Sequence, residues 1–334
     1  MSVHHHKRKA PHNRQQGVAL ITALLISALV TVAAVAMASR QQLDIRRTGN
    51  MLEADQAYMY ALAAEAWGSQ ILRQDRQTTQ IDTLDEDWAT QLPPVPIEGG
   101  MISGSIEDLQ GRFNLNNLID TNAGSNSTPN QEQIRVLQRI LAQVSLVEKD
   151  VQLSPFMVNR VADWIDPDLN ALADGAEDMN YLSLDVPYRA ANRRMVSPTE
   201  LAAVAGFSLR DVAALAPLIA TLPQAATATS GTTVNVNTAP ELVLMSLHED
   251  ITARIAEELA QYRRATPFEK PEDFVTKLLS DYQITLDPKL VGVSSDYFLI
   301  TSDAAIGRTS LRMYSLLARV GNDINVVRRG IGSY

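Results

Sequence analysis

The sequence predicts an α+β chain in which a long N-terminal helix lies on a small antiparallel sheet and a large, mainly helical domain is inserted between the strands. Three observations carry this. Residues 17–38, GVALITALLISALVTVAAVAMA, hold no charge, and the helical signal runs on from them without a proline until Pro93. Period-two alternation occurs once early, at Ile102, Gly104 and Ile106, and returns only at 297–301 and 309–320. Between those strands the apolar period is helical, as at Ile134, Leu137, Leu141 and Val144.

The uncharged stretch is long enough at helical rise to cross a bilayer core of about 30 Å. Lys7, Arg8, Lys9 and Arg14 precede it without an acid, which sets a cytoplasmic N-terminus and places the bulk of the chain across the membrane. A cleaved secretory signal fits less well. The apolar run exceeds an ordinary signal core, and Ala36 and Ala38 are the only match to a small-residue cleavage site. Beyond the span, Ala54, Ala57, Ala61, Ala64, Gly68 and Ile71 recur at helical steps, a small-residue stripe suited to close packing on a sheet. One helix is therefore expected from Val18 to about Leu72.

Composition excludes several function classes. The net charge is −9, or −13 without the four leader cations, which disfavours DNA and anionic polymers and suits cations. With no cysteine, disulfides and thiolate metal sites are absent. Four of the five histidines (His4, His5, His6 and His12) lie in the leader, so a zinc cluster cannot be built and only His248 could serve a nucleophilic triad. His248 precedes Glu249 and Asp250 in a helix-connecting turn and reads as a solvated surface residue.

Residues 92–96, LPPVP, should end the helical region, with a turn at Glu98, Gly99 and Gly100. A short strand follows through 105–109, then the run GRFNLNNL at 111–118 and a polar linker at 119–130. Ser154 and Pro155 read as the cap and first turn of a helix to about Ile165, Pro198 opens another, and 211–218 continues the helical pattern. A Thr/Ala/Gly linker covers 225–233. The strands 297–301 and 309–320 pair through a turn at 305–308, and the tail at 327–330 is expected to be loose.

The densest chemistry is the acidic run from Asp163 to Asp178. Asp166, Asp168, Asn170, Asp174 and Glu177 stand at relative offsets 0, 2, 4, 8 and 11, which are oxygen-ligand offsets of an EF-hand loop. The glycine expected at offset 5 is Ala171, and the flanking helices lack the EF pattern, so a calcium loop outside an EF-hand domain is expected. Six acids between 163 and 178 would repel one another in a folded loop without a cation. A glycosidase reading fails because nothing separates an acid role from a base role. Trp164 reads as core.

Residues 234–242, VNVNTAPEL, followed by Ile251, Ile255, Leu259, Arg263, Pro267 and Phe268, resemble a helix-hairpin-helix unit, with a weaker echo from Thr199 to Pro217. The hairpin at 247–251 has no glycine and two acids, so it would repel phosphate. Both read as scaffold.

The basic leader, Gly17 and the apolar run that begins at Val18 resemble the type IV prepilin family. That resemblance implies cleavage between Gly17 and Val18 by a prepilin peptidase and N-methylation of Val18. Family members mostly carry glutamate at the fifth mature position to pair with a neighbour's N-terminus. Here Thr22 stands there, so a chain arriving above would leave its ammonium unpaired.

GRFNLNNL and the run DWIDPD, GAED, Tyr181, Pro187, Tyr188, Ala191 and Asn192 resemble the K-type minor pseudopilins of type II secretion (GspK family). This implies a pilin-like fold with a calcium-binding insertion. The ligands carried over are Asp166, Asp168, Glu177 and Asp178, with Asp163, Asp174 and Asn192. The domains implied are a basic leader 1–17, a transmembrane and filament-core helix 18–38, a pilin-like domain 39–118 with 287–334, and an inserted domain 119–286. The implied role is a non-catalytic tip subunit of an inner-membrane, largely periplasmic pseudopilus. Its partners would be I- and J-type minor pseudopilins, the major pseudopilin, the prepilin peptidase and exported proteins, with nucleic acid disfavoured. The competing reading is a membrane-anchored DNA-binding competence pilin.

Overall fold

The computed structural model describes residues 16–120, 128–223 and 231–332. The leader cations and His4, His5, His6 and His12 lie outside them, as do the middle of the 119–130 linker and most of the 225–233 linker. Helix α1, Gln16–Thr78, is 63 residues long, extending past the expected end near Leu72. Its first part belongs to a unit ending at Gln56, and the second unit runs from Ala57. In the first unit the side chains of Val18, Leu20, Ile21, Leu24 and Leu25 are exposed. Among the described residues, one helix is long and apolar enough to cross a membrane.

In the second unit α1 lies on a five-stranded antiparallel sheet. The strands are β1 (Leu92–Ile97), β2 (Gly100–Asp108), β3 (Tyr297–Ile306), β4 (Thr309–Val320) and β5 (Asp323–Ile331), in that spatial order. Registers run from Asp108 opposite Phe298 to Gly100 opposite Ile306, and from Ala318 opposite Tyr297 to Thr309 opposite Ile306. Ala57, Ala61 and Leu72 of α1 are fully buried. Gly68 suits the close approach, since a Cβ there would lie 2.5 Å from Ile300 Cδ1 and push that side chain aside. The small-residue stripe therefore does what its spacing suggests.

Three expectations are corrected. The proline-rich 92–96 does more than end the helix: it forms edge strand β1. A proline needs no outward N–H on an edge, and a register shift between Leu92 and Val95 absorbs Pro93 and Pro94.

The tail is not loose. β5 pairs along β4 from Val320 opposite Asp323 to Met313 opposite Ile331, and Arg329 grips Glu65 of α1 at 2.6 and 2.8 Å. A bulge at Val327 of β5, where Leu316 faces Arg328 and Leu317 faces Val326, breaks the alternation that would have shown this strand in the sequence.

The boundary of the insertion also moves. Phe113, Leu115, Leu118, Leu290, Val291 and Val293 belong to the large helical core, so the sheet ends at Asp108 and resumes at Tyr297.

That core is built on α2 (Gln131–Val147), whose Ile134, Leu137, Ile140, Leu141 and Val144 are buried. Around it pack α3 (Val158–Ile165), α4 (Asp178–Leu182), α5 (Leu209–Leu215), α6 (Glu241–Ser246), α7 (Ala253–Ala265) and α8 (Pro271–Tyr282). The helix expected at Pro198 is a short 3-10 turn, Pro198–Ala203, capped by Ser197. The insertion is fastened to the sheet by the buried Asp108 carboxylate. It accepts from Gln110 N (2.7 Å), Thr238 Oγ1 (2.5 Å), Ser295 Oγ (2.7 Å) and Asn235 Nδ2 (3.0 Å). Each donor satisfies an oxygen that would be costly to bury bare.

Candidate metal centre

Ser154 accepts from Phe156 N, Pro155 occupies the first turn, and α3 follows as its cap residues suggest. This delivers Asp163 and Trp164 to the buried side of the last turn and Asp166 to its C-cap. The loop then returns to Glu177, the N-cap of α4.

Asp163 is the fully buried hub. Its Oδ1 accepts from Leu172 N at 3.2 Å, and its Oδ2 accepts from Leu172 N at 3.2 Å and Ala176 N at 2.8 Å. Gly175 makes room for this, because a Cβ there would lie 1.9 Å from Asp163 Oδ2. The glycine's purpose is invisible to spacing, since it depends on a side chain twelve positions earlier folding back over the loop.

Asp163, Asp166 and Glu177 each present an oxygen within 4.8 Å of the others. Asp166 Oδ1, both Glu177 carboxylate oxygens and Asn192 Oδ1 are buried without a hydrogen-bond partner. Asn192, at φ 45°, turns its Nδ2 toward the Asp168 carbonyl at 3.3 Å. Burial, then the charges of Asp168, Glu177 and Asp163, push the Asp166 carboxyl up to about 7. Burial, then Asp163, likewise push Glu177 up to about 7. Asp163 is also raised by burial, against the pull of its Leu172 and Ala176 donors. Three converging buried carboxylates, with Asp166 Oδ1 and both Glu177 oxygens unpartnered and no nitrogen or sulfur among them, are a hard-cation donor set of the kind calcium takes.

The remaining expected ligands are placed differently. Asp168 is exposed and its Oδ1 accepts from Asn170 N (2.8 Å) and Nδ2 (2.9 Å), yet its charge reaches all three clustered carboxylates. Asp178 Oδ1 holds Ala190 N at 3.0 Å, and its other oxygen faces Arg189 at 3.8 Å. Asp174 is exposed at φ 59°, and its carbonyl accepts from Arg160. Of the EF-like offsets only the first and last, Asp166 and Glu177, meet in the cluster. The loop is not folded as an EF-hand because Asp163 replaces the middle ligands as its hub. Trp164 is core, edge-on to Tyr181 at 5.2 Å, and Tyr181 in turn packs on Tyr188 at 5.2 Å.

The helix-hairpin-helix element is built as α6, a turn and α7, with Thr252 capping Ile255. Arg263 of α7 turns inward and donates to Val236 O at 2.6 Å, and Arg139 of α2 donates to Ser246 O and Leu247 O, while Arg254 and Arg264 of α7 are exposed. His248 Nδ1 accepts from Asp250 N in the hairpin, where Glu249 and Asp250 are exposed. Nothing in this turn nests phosphate, so the DNA-binding reading is not favoured.

Two family models match, both described as type II secretion system (T2SS), protein K, at residues 111–224 and 234–293. Type II secretion system protein K of Pseudomonas aeruginosa is 35% identical over 328 residues, covering 95% of this chain and 93% of the relative. That of Aeromonas hydrophila is 32% identical, covering 94% and 96%. The crystal structure of the GspK-GspI-GspJ complex from enterotoxigenic Escherichia coli matches with a TM-score of 0.72 at 26% identity, covering 86% of this chain and 100% of the matched one. The chain thus belongs to the type II secretion system protein K family, the K-type minor pseudopilins.

Proposed function

We propose that this protein is the tip subunit of a pseudopilus, docked on I- and J-type minor pseudopilins and held in shape by calcium at Asp163, Asp166, Glu177 and Asn192. The observation that carries the tip role is Thr22. Its hydroxyl bonds back to its own helix at Val18 O and Ala19 O, both at 3.0 Å, and offers no charge to an incoming N-terminus. The helix can dock onto subunits beneath it but is unsuited to receive one above. The matched complex of K, I and J chains supports those partners.

In this reading the leader is cleaved between Gly17 and Val18 by the prepilin peptidase, and Val18 is N-methylated. The helix spans the inner membrane once with the N-terminus cytoplasmic and the folded domain periplasmic. The protein acts by assembly, without catalysis, and exported proteins and the major pseudopilin are further contacts. Calcium supplies the positive charge that the clustered carboxylates lack. Asp163 orients the loop through Leu172 and Ala176, and Asn192 supplies a neutral oxygen.

The test is assembly. Mixing residues 40–334 with the soluble parts of I- and J-type partners should give one species larger than any component by size exclusion with light scattering. Elution of each component unchanged at micromolar concentration sinks the tip reading.

A further inference from the structure

We propose that Arg40, Arg46 and Arg47 form a basic collar that binds the phosphate headgroups of anionic phospholipids in the leaflet facing the folded domain. The three arginines are exposed, and none makes an ion pair among the described residues. Asp44 is the single acid between the end of the apolar run at Ala38 and Arg47. Helical rise sets Arg40 about 3 Å and Arg46 and Arg47 about 12–14 Å beyond that run. The headgroup layer is roughly 5–8 Å deep. Long guanidinium stems reach back several ångströms toward an interface, so all three heads meet the phosphates. Arg40 and Arg47, seven residues apart, share one helix face, and Arg46 widens it.

The collar rests on the membrane orientation and leader cleavage proposed above, and it gives them a consequence. Lys7, Arg8, Lys9 and Arg14 leave with the leader, after which the fixed side-chain cations flanking the span lie on the domain side. Contact with lipid phosphate then sets how deep the mature helix sits before it is drawn into a filament. Lipid is favoured over an acidic protein surface because the arginines directly continue the membrane span.

The mature chain, from Val18 onward, in phosphatidylcholine bilayers with trace spin-labelled phosphatidylglycerol or phosphatidylcholine reads this out by electron spin resonance. Each arginine at an anionic surface contributes about a fivefold preference. The unsubstituted chain should therefore prefer phosphatidylglycerol by about fivefold or more, and high salt should reduce this. The preference should fall near unity in the R40Q/R46Q/R47Q variant and return when the three positions are lysine. Equal association of both lipids with the unsubstituted chain overturns the proposal. So does a preference that survives the glutamine triple, including the case in which that variant instead loses its I- and J-type partners. A chain that keeps the lipid preference but never assembles with partners refutes the tip role alone.

Discussion

Arg319 of β4 reaches back under α1 and divides its guanidinium between two carboxylates, with Nη1 2.8 Å from Asp82 and Nη2 3.1 Å from Asp75. The group lies over the Phe298 ring at 4.6 Å, and Ser295 N donates to Asp82 at 2.7 Å. One buried cation thus ties the end of the long helix, the segment after it and the sheet. Replacing Arg319 with alanine leaves two carboxylates uncompensated and should cost about 3–5 kcal/mol. Urea unfolding of residues 40–334 measures it, and a loss below about 1 kcal/mol would show the cluster to be incidental.

Asp75 gives that cluster a pH signature. Burial, then the charges of Glu86 and Asp82, push its carboxyl up to about 7 against the pull of Arg319. The folded state holds this proton more tightly than the unfolded one. The group's contribution is therefore complete below the ordinary carboxylate pKa and is lost as pH rises toward about 7. Asp75→Asn should flatten that part of the stability profile in calcium-saturated protein, and identical profiles for both proteins would refute the assignment.

Calcium should remove a second pH slope of the same sign. Without the ion, Asp166 and Glu177 resist ionisation up to about 7, so stability should fall as pH rises from about 4 to about 7. Calcium should raise Tm most at pH 7 and above. Asp166→Asn with Glu177→Gln should abolish the calcium-induced shift while raising the metal-free Tm at pH 8. Calorimetry with and without chelator reads both, and an unchanged calcium response in the double variant rejects the site.

Gly175→Ala would set a methyl group against Asp163 Oδ2. Displacing the hub should cost about 1–3 kcal/mol and weaken calcium binding about tenfold or more. Isothermal titration with calcium tests this, and wild-type affinity in the variant would show that the loop relaxes freely.

The C-terminal strand makes a prediction opposite to a loose tail. Amides of β5 that face β4 should exchange slowly, within about tenfold of β4 itself, and Arg329→Ala should speed them by freeing Glu65 and Ser315. Hydrogen exchange read by mass spectrometry distinguishes this from a frayed tail, whose amides exchange at the unprotected rate.

Much of the fold was legible where a single local signal sufficed. The uncharged run, the small-residue stripe, the Ser154 cap and the 309–320 alternation each point to one element, and each formed. β1 was hidden because its prolines are tolerated only on an edge, and edge position belongs to the whole sheet. β5 was hidden because the bulge within it, at Val327, breaks the period and its anchor, Glu65, is far away in the chain.

The sequence by itself determined the family, the long apolar helix, the missing charge at Thr22 and the acidic segment from which a cation site could be drawn, since these depend on residue type and local order. Tertiary structure alone decided which carboxylates converge. It made Asp163 the hub, brought Asp166 and Glu177 beside it, left the expected Asn192 Oδ1 buried without a partner, and gave Asp178 to Ala190. The reason is physical. A ligand set is fixed by desolvation and by where backbone donors spend each oxygen, and neither is set by the spacing of acids along the chain.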